Sequence, residues 1–564
     1  MTYTNRPRER KFRIILFERI RFHQSMNAYR LGSKFEHSKC ELHVVGAVYF
    51  PRETVMAKQW DFDLFINGEW VTDDELAPIE VINPANEEVI GHVPEATVKT
   101  AKRAIEAARH AFDHGPWPWM KPAERAGYLV RMAEILESRA DELRELIVAE
   151  TGTTSFATDM IQGYGAIGML RSNAMQIQHE MQWMEPVGMI QGGTVGVTGQ
   201  ALFREPIGVV AAITPFNFPF MLNMVKVAPA LAVGCTVVLK PHSWTPLDAM
   251  LIARAAQEAG IPAGVINVIT GAGEVGDELT SNPMVDMVTF TGSTATGRRI
   301  MASSAPTLKR VQLELGGKSA QVILGDVPES YARTIGFGGV LTHCGQGCAI
   351  QTRLLLPVHL MDAYRSGVAD AVAAAKIGDP NDPSTVLGPL IRELQRSRVE
   401  ALVQSGIEQG AELVTGGKRP AHMTKGFFYE PTILIGDNSM RIAQEEIFGP
   451  VMTVIPYSGN DDDAVRIAND SIYGLGGGVI ANHTGRAFNV ARQIRTGMLG
   501  AQGVASDPQA GTGTGAGQGP GWGSTPSGIG QAGAFGGFKQ SGLGREWGHH
   551  GLEDFTEIKS ISWS

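Results

Sequence analysis

Apolar and polar residues follow two regular patterns along most of the chain. The segments "VKTAKRAIEAARHAF" and "AERAGYLVRMAEILESRADELRELIVAE" place apolar residues three and four apart, which predicts two long amphipathic helices. Short apolar runs predict buried strands, and they read "IGVVAAIT", "CTVVLK", "GVINVIT" and "MVTFTG". Because helical segments separate these runs, the pattern indicates βαβ units and a parallel sheet with helices on both faces.

The same alternation begins again after "RVQLELGG", with the runs "SAQVIL", "RLLLPV", "TILIG" and "VMTVIPY". Two successive α/β lobes are the simplest interpretation. The most apolar region of the chain is interrupted by polar residues and prolines, namely Pro215, Asn217, Pro219, Asn223 and Lys226. We therefore interpret it as buried strands and helix and predict no membrane span.

Two stretches differ from the rest. Residues 1–58 open with the basic segment "RPRERKFRIILFERIRFHQ" and fit three interpretations: an artefactual upstream start with Met56 as the first residue, a transit peptide, or a small extra arm. Glu9 and Glu18 count against a transit peptide, and we expect this extension to be poorly packed. Residues 502–537 are rich in Gly, Ser, Thr, Gln and Pro, which predicts a mobile surface loop.

Composition narrows the class of protein. The chain has 564 residues, of which 43% are hydrophobic and 19% charged, enough for a large core and more than one domain. A formal net charge of -9 argues against a nucleic-acid partner. The 4 cysteines do not suggest a disulfide framework, so a reducing compartment is expected. We predict the cytoplasm, with organellar import through the basic N-terminus as the alternative.

The segment "HCGQGCA" holds two of the cysteines, Cys344 and Cys348, among glycines. A cysteine nucleophile must be a reachable thiolate beside a site that stabilises an oxyanion, and flanking glycines leave the backbone N–H of Cys348 open to a substrate oxygen. A buried, inert cysteine is the competing interpretation. A metal site would need more soft ligands than two cysteines and His343, and no second cluster is present, so no metal is predicted.

Two further residues are candidates for chemistry. Asn217 in "ITPFNFP" is either a turn residue or an amide donor to an oxyanion. Glu314 in "LELGGKS" is either a solvated carboxylate or a general base at the junction of the two lobes. The residues alone leave both choices open.

Seven segments in order resemble the aldehyde dehydrogenase superfamily: "TPFNFP", "VVLKP", "FTGSTATG", "LELGGKS", "GQGC", "EEIFGPV" and "FGGFKQSGLGRE". The resemblance covers about residues 60–564. It implies two Rossmann-like doubly wound lobes and a small β oligomerisation extension. The implied boundaries are a cofactor-binding domain at 59–183 and 206–316, a catalytic domain at 317–547, and an oligomerisation hairpin and terminal strand at 184–205 and 548–564. A homodimer or homotetramer is expected.

The resemblance also implies a reaction. Cys348 corresponds to the nucleophile, Glu314 to the general base, and Asn217 to the oxyanion donor that works with the backbone N–H of Cys348. Cys344 is left as a neighbour that packs. The thiolate adds to an aldehyde, the thiohemiacetal passes hydride to a nicotinamide, and the thioester is hydrolysed to the acid. The sequence does not identify the aldehyde, and we expect an aliphatic or aromatic aldehyde of modest size.

The same resemblance assigns a cofactor site. Lys240 falls where the family holds the adenosine ribose. The turn from Gly292 to Gly297 falls near the pyrophosphate. Glu446 and Phe448 fall where the family binds the nicotinamide ribose and ring. The full set is Ile213, Thr214, Pro215, Phe216, Lys240, Ser243, Gly273, Gly276, Phe290, Thr291, Gly292, Ser293, Gly297, Leu315, Glu446 and Phe448. Family members that favour NAD often carry Glu at the position of Ser243, where it would bind the 2′-hydroxyl and repel a 2′-phosphate. Because Ser does neither strongly, the choice between NAD and NADP stays open, with NAD the favoured cofactor.

Two other functions compete with this interpretation. A coenzyme A-acylating dehydrogenase keeps the cysteine but generally lacks the base at position 314. A non-enzymatic binding or structural protein on the same fold would have lost one or more of Cys348, Glu314 and Asn217, and all three are present. An aldehyde is the predicted partner, and neither a nucleic acid nor a membrane is expected.

Overall fold

A computed structural model describes residues 59–72, 76–192, 196–333, 335, 338–504 and 533–563. The predictions for the extension at residues 1–58 and for most of the glycine-rich loop, residues 505–532, lie outside the described residues. None of the helices in the described ranges combines the length and the apolar character that crossing a membrane requires.

The first large sheet has eight strands, and its five central strands are parallel. Short antiparallel strands close both edges. In spatial order the strands are Gly542–Leu543, Arg310–Glu314, Met287–Thr291, Val209–Ile213, Thr236–Lys240, Ile266–Val268, Leu64–Ile66 and Glu69–Val71. The four apolar runs predicted as buried strands all lie in this sheet, as the pattern requires.

Helices pack on this sheet through their alanine- and leucine-rich faces. They are Val98–His114, Pro122–Glu137, Ala140–Thr151, Ser155–Ala157, Ala166–His179, Pro219–Val233, Leu247–Ala259, Gly273–Ser281 and Thr294–Ser304, with a π-helical segment at Thr158–Gly165. The prediction of a single helix across "AERAGYLVRMAEILESRADELRELIVAE" is wrong. The helix ends at Glu137 and a second begins at Ala140, because Arg139 leaves helical geometry at φ -118 and ψ 24.

The second large sheet has seven strands, of which six are parallel. In spatial order they are Glu412–Thr415, Thr432–Ile435, Val451–Tyr457, Gln351–Pro357, Ser319–Ile323, Gly477–Ala481 and Gly500–Gly503, the first being antiparallel. Its helices are Glu329–Ala332, Gly338–Leu341, Met361–Ala373, Glu393–Glu408, Arg441–Gln444, Asp461–Asn469 and Thr484–Ala491. The second α/β lobe is thus present.

Two small sheets and a few short turns complete the described residues. One sheet joins Trp60–Asp61, Val89–Pro94 and Pro78–Ile82, and the other joins Thr556–Trp563, Gly196–Pro206 and Met184–Gly192. The chain also forms a short helix at Gly548–Glu553 and 3₁₀ turns at Trp117–Trp119, Ala305–Thr307, Thr342–Gly345, Val358–Leu360 and Lys539–Ser541. The predicted fold class, two α/β lobes with a small β extension, is confirmed.

The terminal strand pairs along its whole length with the hairpin of its own chain, from Thr556 opposite Pro206 to Trp563 opposite Gly199. Strand Gly542–Leu543 adds to the first sheet although we predicted the catalytic domain to run to residue 547. The domain boundaries stay a prediction. In an open parallel sheet, the crevice at the carboxyl ends of the strands is where ligands bind, and Ile213, Lys240 and Glu314 all end strands at that edge.

Candidate active site

The loop that carries Cys348 begins with a strained turn. His343, Cys344 and Gly345 have φ of 46, 55 and 70, so three successive residues adopt the left-handed region. The chain then reaches Cys348 just before strand Gln351–Pro357. Cys348 is partly exposed and borders a small apolar cluster of Ala349, Leu475 and Phe535. Cys344, in contrast, is fully buried among aliphatic side chains.

Burial raises the pKa of the Cys348 thiol, and the nearby carboxyl groups of Glu314, Glu446 and Glu546 raise it further when they are charged. The backbone N–H of Ala349 bonds the sulfur and lowers the thiol pKa. The thiolate is the nucleophilic form of cysteine, and this environment keeps the resting Cys348 thiol mostly protonated. Its reactivity therefore depends on how many of these carboxyl groups carry a proton.

Asn217 follows strand Val209–Ile213 and is buried. Its side-chain Nδ2 donates to the backbone oxygen of Gln346 at 2.9 Å, two residues before Cys348. An amide nitrogen carries two N–H groups, so the bond to Gln346 fixes the side chain and leaves the second N–H for another acceptor. The predicted oxyanion donor thus lies beside the loop of the predicted nucleophile.

Glu314 ends strand Arg310–Glu314 and is 2% exposed. Its Oε2 has no hydrogen-bond partner within the described part of the chain. Burial holds the pKa of Glu314 well above its usual range, Glu546 adds to this shift, and Lys226, Arg545 and the N–H of Gly537 oppose it. When Glu314 carries its proton, it does not oppose a thiolate at Cys348.

Lys226 and Glu546 form a buried ion pair beside Glu314 that the sequence analysis missed. Lys226 Nζ lies 2.7 Å from Glu546 Oε1 and donates to Thr289 Oγ1 at 3.1 Å. Both side chains are buried, at 0% and 2% exposure. The available signal was Lys226 itself, the single charged residue in the largely apolar helix Pro219–Val233, since a buried lysine needs a partner.

The predicted adenosine-side residues lie at the carboxyl edge of the first sheet. Lys240 ends its strand, burial lowers its pKa to about 8, and its backbone oxygen accepts from Thr214 N at 3.1 Å. Ile213 lies opposite Lys240 in the neighbouring strand, and Pro215 follows, partly exposed. Ser243 Oγ donates to Gly271 O at 3.4 Å, so its hydroxyl is turned to the backbone of the next turn.

Two helix N-termini lie at the same edge. Gly273 and Gly276 lie in the first turns of helix Gly273–Ser281, and a Cβ added at either would meet nothing within 4 Å. Ser293 caps helix Thr294–Ser304 by accepting from Thr296 N. Free backbone N–H groups at such ends, beside open space, fit a pyrophosphate.

The turn before the second of these helices is closely packed. A Cβ at Gly292 would meet the Phe290 ring at 2.4 Å, and one at Gly297 would meet Leu315 at 2.7 Å. The buried Oγ1 of Thr291 has no partner among the described residues. Gly292 and Gly297 are thus required because their neighbours leave no room for a Cβ. Thr291 offers its hydroxyl group to a ligand.

Glu446 and Phe448 lie on the second lobe and face the same crevice. Glu446 Oε1 accepts from Gly317 N at 3.0 Å, and burial raises the Glu446 pKa to about 7. Phe448, at φ 58, contacts Phe216 edge to face with ring centroids 5.7 Å apart. His242 and Trp244, which we did not assign, pack on Phe216 at 5.3 and 5.0 Å. Four aromatic rings therefore meet between Phe448 and the segment that carries Lys240 and Ser243.

Within the described ranges, one group of three potential metal ligands occurs, namely His549, His550 and Glu553, on the exposed helix Gly548–Glu553. Glu553 already pairs with Arg204 at 2.8 Å. The group does not include His343, Cys344 or Cys348.

A family model described as the aldehyde dehydrogenase family matches residues 70–519 and 521–561. Among curated relatives, a 3-succinoylsemialdehyde-pyridine dehydrogenase of Pseudomonas sp is 38% identical over 503 residues, covering 88% of this chain and 98% of that protein. A betaine aldehyde dehydrogenase of Bacillus subtilis (strain 168) is 36% identical over 515 residues, covering 88% and 96%.

Solved structures agree with this match. A Mycobacterium tuberculosis aldehyde dehydrogenase complexed with NAD+ is 41% identical, with a TM-score of 0.81, and the match covers 89% of this chain and 98% of that one. An aldehyde dehydrogenase C mutant of Pseudomonas syringae, complexed with NAD+ and octanal, is 37% identical with a TM-score of 0.80 over 90% and 98%. These matches do not favour the coenzyme A-acylating or the non-enzymatic alternative.

Proposed function

The chain belongs to the aldehyde dehydrogenase family, and on that premise we propose that it oxidises an aldehyde to a carboxylic acid with NAD+, using Cys348 as the nucleophile. The observation that carries the assignment is the convergence of Cys348, Asn217 and Glu314 on one loop and one crevice. Cys344 is fully buried and so is not the attacking thiol.

The first step requires a thiolate at Cys348. With Glu314 protonated, less negative charge opposes that thiolate, and the Ala349 N–H bond stabilises it. The sulfur adds to the aldehyde carbon, and the new oxyanion accepts from the second N–H of Asn217 and from a backbone N–H. Because the bond to Gln346 already fixes the Asn217 side chain, the donor needs little reorganisation.

The cofactor residues fit a dinucleotide. The open glycines and the Ser293-capped helix supply N–H groups for a pyrophosphate, and Lys240 and Glu446 would bind the two riboses. The ring cluster of Phe216 and Phe448 would border the nicotinamide. NAD+, when bound, supplies the acceptor for the hydride that the aldehyde carbon loses. The residues of the chain orient the substrate and hold the acyl group on Cys348.

Release of the acid requires a base, which we propose is Glu314 in its deprotonated form. Lys226 lowers the pKa of Glu314 and Glu546 raises it, so the buried pair sets how readily Glu314 gives up its proton. Glu314 then takes a proton from water, the water oxygen bonds to the thioester carbon, and the carbon–sulfur bond breaks to release the acid and the Cys348 thiolate. We expect this step to accelerate with rising pH, since the Glu314 pKa lies well above its usual range.

Three finer points belong to the proposal. Ser243 carries no charge to repel a 2′-phosphate, so NADP should serve as a weaker alternative to NAD. The small antiparallel sheet exposes Met184, Met189, Ile558 and Trp563, and its outer strands pair with no further strand of the described residues, which supports a homodimer or homotetramer. The free thiols of the three described cysteines suit the reducing cytoplasm.

Product analysis tests the proposal. Purified protein is incubated with a panel of aliphatic and aromatic aldehydes and NAD+, with and without coenzyme A, and NADH absorbance is recorded while products are identified by mass spectrometry. We expect free acid under both conditions, and no NADH formation by Cys348→Ala, with Cys344→Ala as the matched thiol control that keeps activity. Acyl-coenzyme A in place of acid, or turnover by Cys348→Ala, would overturn it.

A further inference from the structure

The left-handed turn ahead of Cys348 has an unfavourable backbone conformation. Non-glycine residues adopt this backbone region at a cost, and His343 and Cys344 both do so in succession. A Cβ at Gly345 would meet Gly449 O at 2.0 Å, so the backbone of the turn lies directly against the backbone of Gly449. The surrounding structure must therefore fix this turn, because the sequence does not favour it.

Within the turn, His343 O accepts from Gln346 N at 3.1 Å and from Gln346 Nε2 at 3.2 Å, and three further hydrogen bonds join the segment to other parts of the chain. Gln346 Oε1 accepts from Ile391 N at 3.0 Å, and Gln346 O accepts from Asn217 Nδ2 at 2.9 Å. The third joins His343 Nδ1 and Thr153 Oγ1 at 2.9 Å, across 190 positions of sequence. His343 is buried and its ring packs on Phe218, the residue next to Asn217, with centroids 5.0 Å apart.

The direction of the His343 bond follows from a chain of hydroxyl groups. Thr151 Oγ1 donates to Ile147 O at 2.7 Å, and a carbonyl can only accept. Thr151 Oγ1 therefore receives the proton of Thr153 Oγ1, which lies 2.8 Å away. Thr153 has then used its only proton and can only accept from His343. This order places the imidazole proton on Nδ1.

The environment keeps this imidazole neutral. Burial lowers the pKa of His343 to about 3. The backbone of Asn217 opposes this lowering of the His343 pKa, so it is a second polar neighbour of the ring. The bond to Thr153 and this contact with Asn217 together orient the ring, and through it the turn.

We propose that His343 is a positioning residue for the reaction: held by Thr153 as the Nδ1–H tautomer, it fixes the turn that presents Cys348 to the aldehyde and keeps Gln346 O in place for Asn217. This inference rests on the proposed role of Cys348. In this role, His343 contacts neither the substrate nor the cofactor. It acts through the loop, and its effect is on the placement of the sulfur and of the oxyanion donor.

Thr153→Val is the central test, because it keeps the shape of the side chain and removes the acceptor. We expect kcat to fall roughly ten- to a hundredfold, as a small misplacement of a reacting group does. The KM for NAD+ should stay within about twofold of wild type, since the predicted cofactor residues lie on other loops. Thr153→Ser, which restores the hydroxyl, should recover most of the activity.

The matched control is Thr158→Val, the same substitution five positions along the chain. Thr158 is also buried, and its Oγ1 has no partner among the described residues. We expect Thr158→Val to keep wild-type kcat. If Thr153→Val proves too unstable to purify, His343→Phe tests the same contact. It keeps an aromatic ring at this position and removes the hydrogen bond to Thr153.

A second readout separates positioning from stability and from the proposed reaction itself. The rate constant for alkylation of Cys348 by iodoacetamide, followed by peptide mass spectrometry, does not require turnover. It should fall in Thr153→Val and His343→Phe and recover in Thr153→Ser. A lower melting temperature with unchanged kcat and unchanged alkylation would overturn the inference. If wild-type protein makes no acid from any aldehyde, the proposed function fails, while alkylation still tests the loop.

Discussion

The buried pair of Lys226 and Glu546 offers a quantitative test of the electrostatics around Glu314. Both side chains are almost fully buried and 2.7 Å apart, so removal of one charge leaves the other unpaired in the interior. Breaking such a pair typically costs about 3–5 kcal/mol of folding free energy. Lys226→Met also loses the bond to Thr289, but Thr289 keeps its bond to Gln312 at 2.7 Å.

We therefore expect Lys226→Met and Glu546→Gln each to lower the free energy of unfolding by about 3–5 kcal/mol in urea titrations, and the double variant to cost less than the sum. The matched control is Arg171→Met, which breaks the half-exposed pair with Glu137. That change should cost about 1 kcal/mol or less. Additive costs for the two buried changes would show that the charges do not stabilise each other.

The same variants should move the pH dependence of kcat in opposite directions. Glu546 raises the pKa of Glu314 and Lys226 lowers it. Glu546→Gln should then shift the alkaline rise of kcat to lower pH, because Glu314 loses its proton more readily. Lys226→Met should shift the rise to higher pH, because Glu314 then holds its proton more firmly. Shifts in the same direction, or none in both variants, would refute the role given to the pair.

Three further predictions concern single side chains. Asn217→Ala should lower kcat about a hundred- to a thousandfold in steady-state assays with little change in the KM for NAD+; a change confined to KM would contradict its role. Alkylation of Cys348 should accelerate about tenfold per pH unit through pH 9, since its pKa is raised, and a plateau near the ordinary cysteine pKa of about 8.5 would contradict this. Ser243→Glu should reduce kcat/KM for NADP more than for NAD, and equal losses would contradict the placement of Ser243.

The strands, and the functional residues that follow them, could be predicted because short local sequence patterns determine both. Buried parallel strands are continuous apolar runs, and the polar residues that follow them, such as Asn217 and Glu314, must lie at one edge of a sheet. The resemblance then supplied roles to these positions, and the family match agrees with the reaction class.

Other features depend on contacts between distant parts of the chain. Glu546 is 320 residues from Lys226, and Thr153 is 190 residues from His343, so no local pattern predicts either pair. The break at Arg139 was missed because the apolar period continues across it. The left-handed backbone at His343 is imposed by contacts of the turn with distant segments and not by the preference of the residue itself.

Trapping of the acyl-enzyme tests the central claim most directly. Glu314→Gln is mixed with an aldehyde and NAD+, NADH is followed in a stopped-flow instrument, and the protein is then digested for mass spectrometry. The account predicts a burst of about one NADH per active site, a stalled second turnover, and an acyl adduct on the peptide of Cys348. Continued turnover at the wild-type rate, or an adduct on Cys344 or Cys235 in place of Cys348, would contradict it.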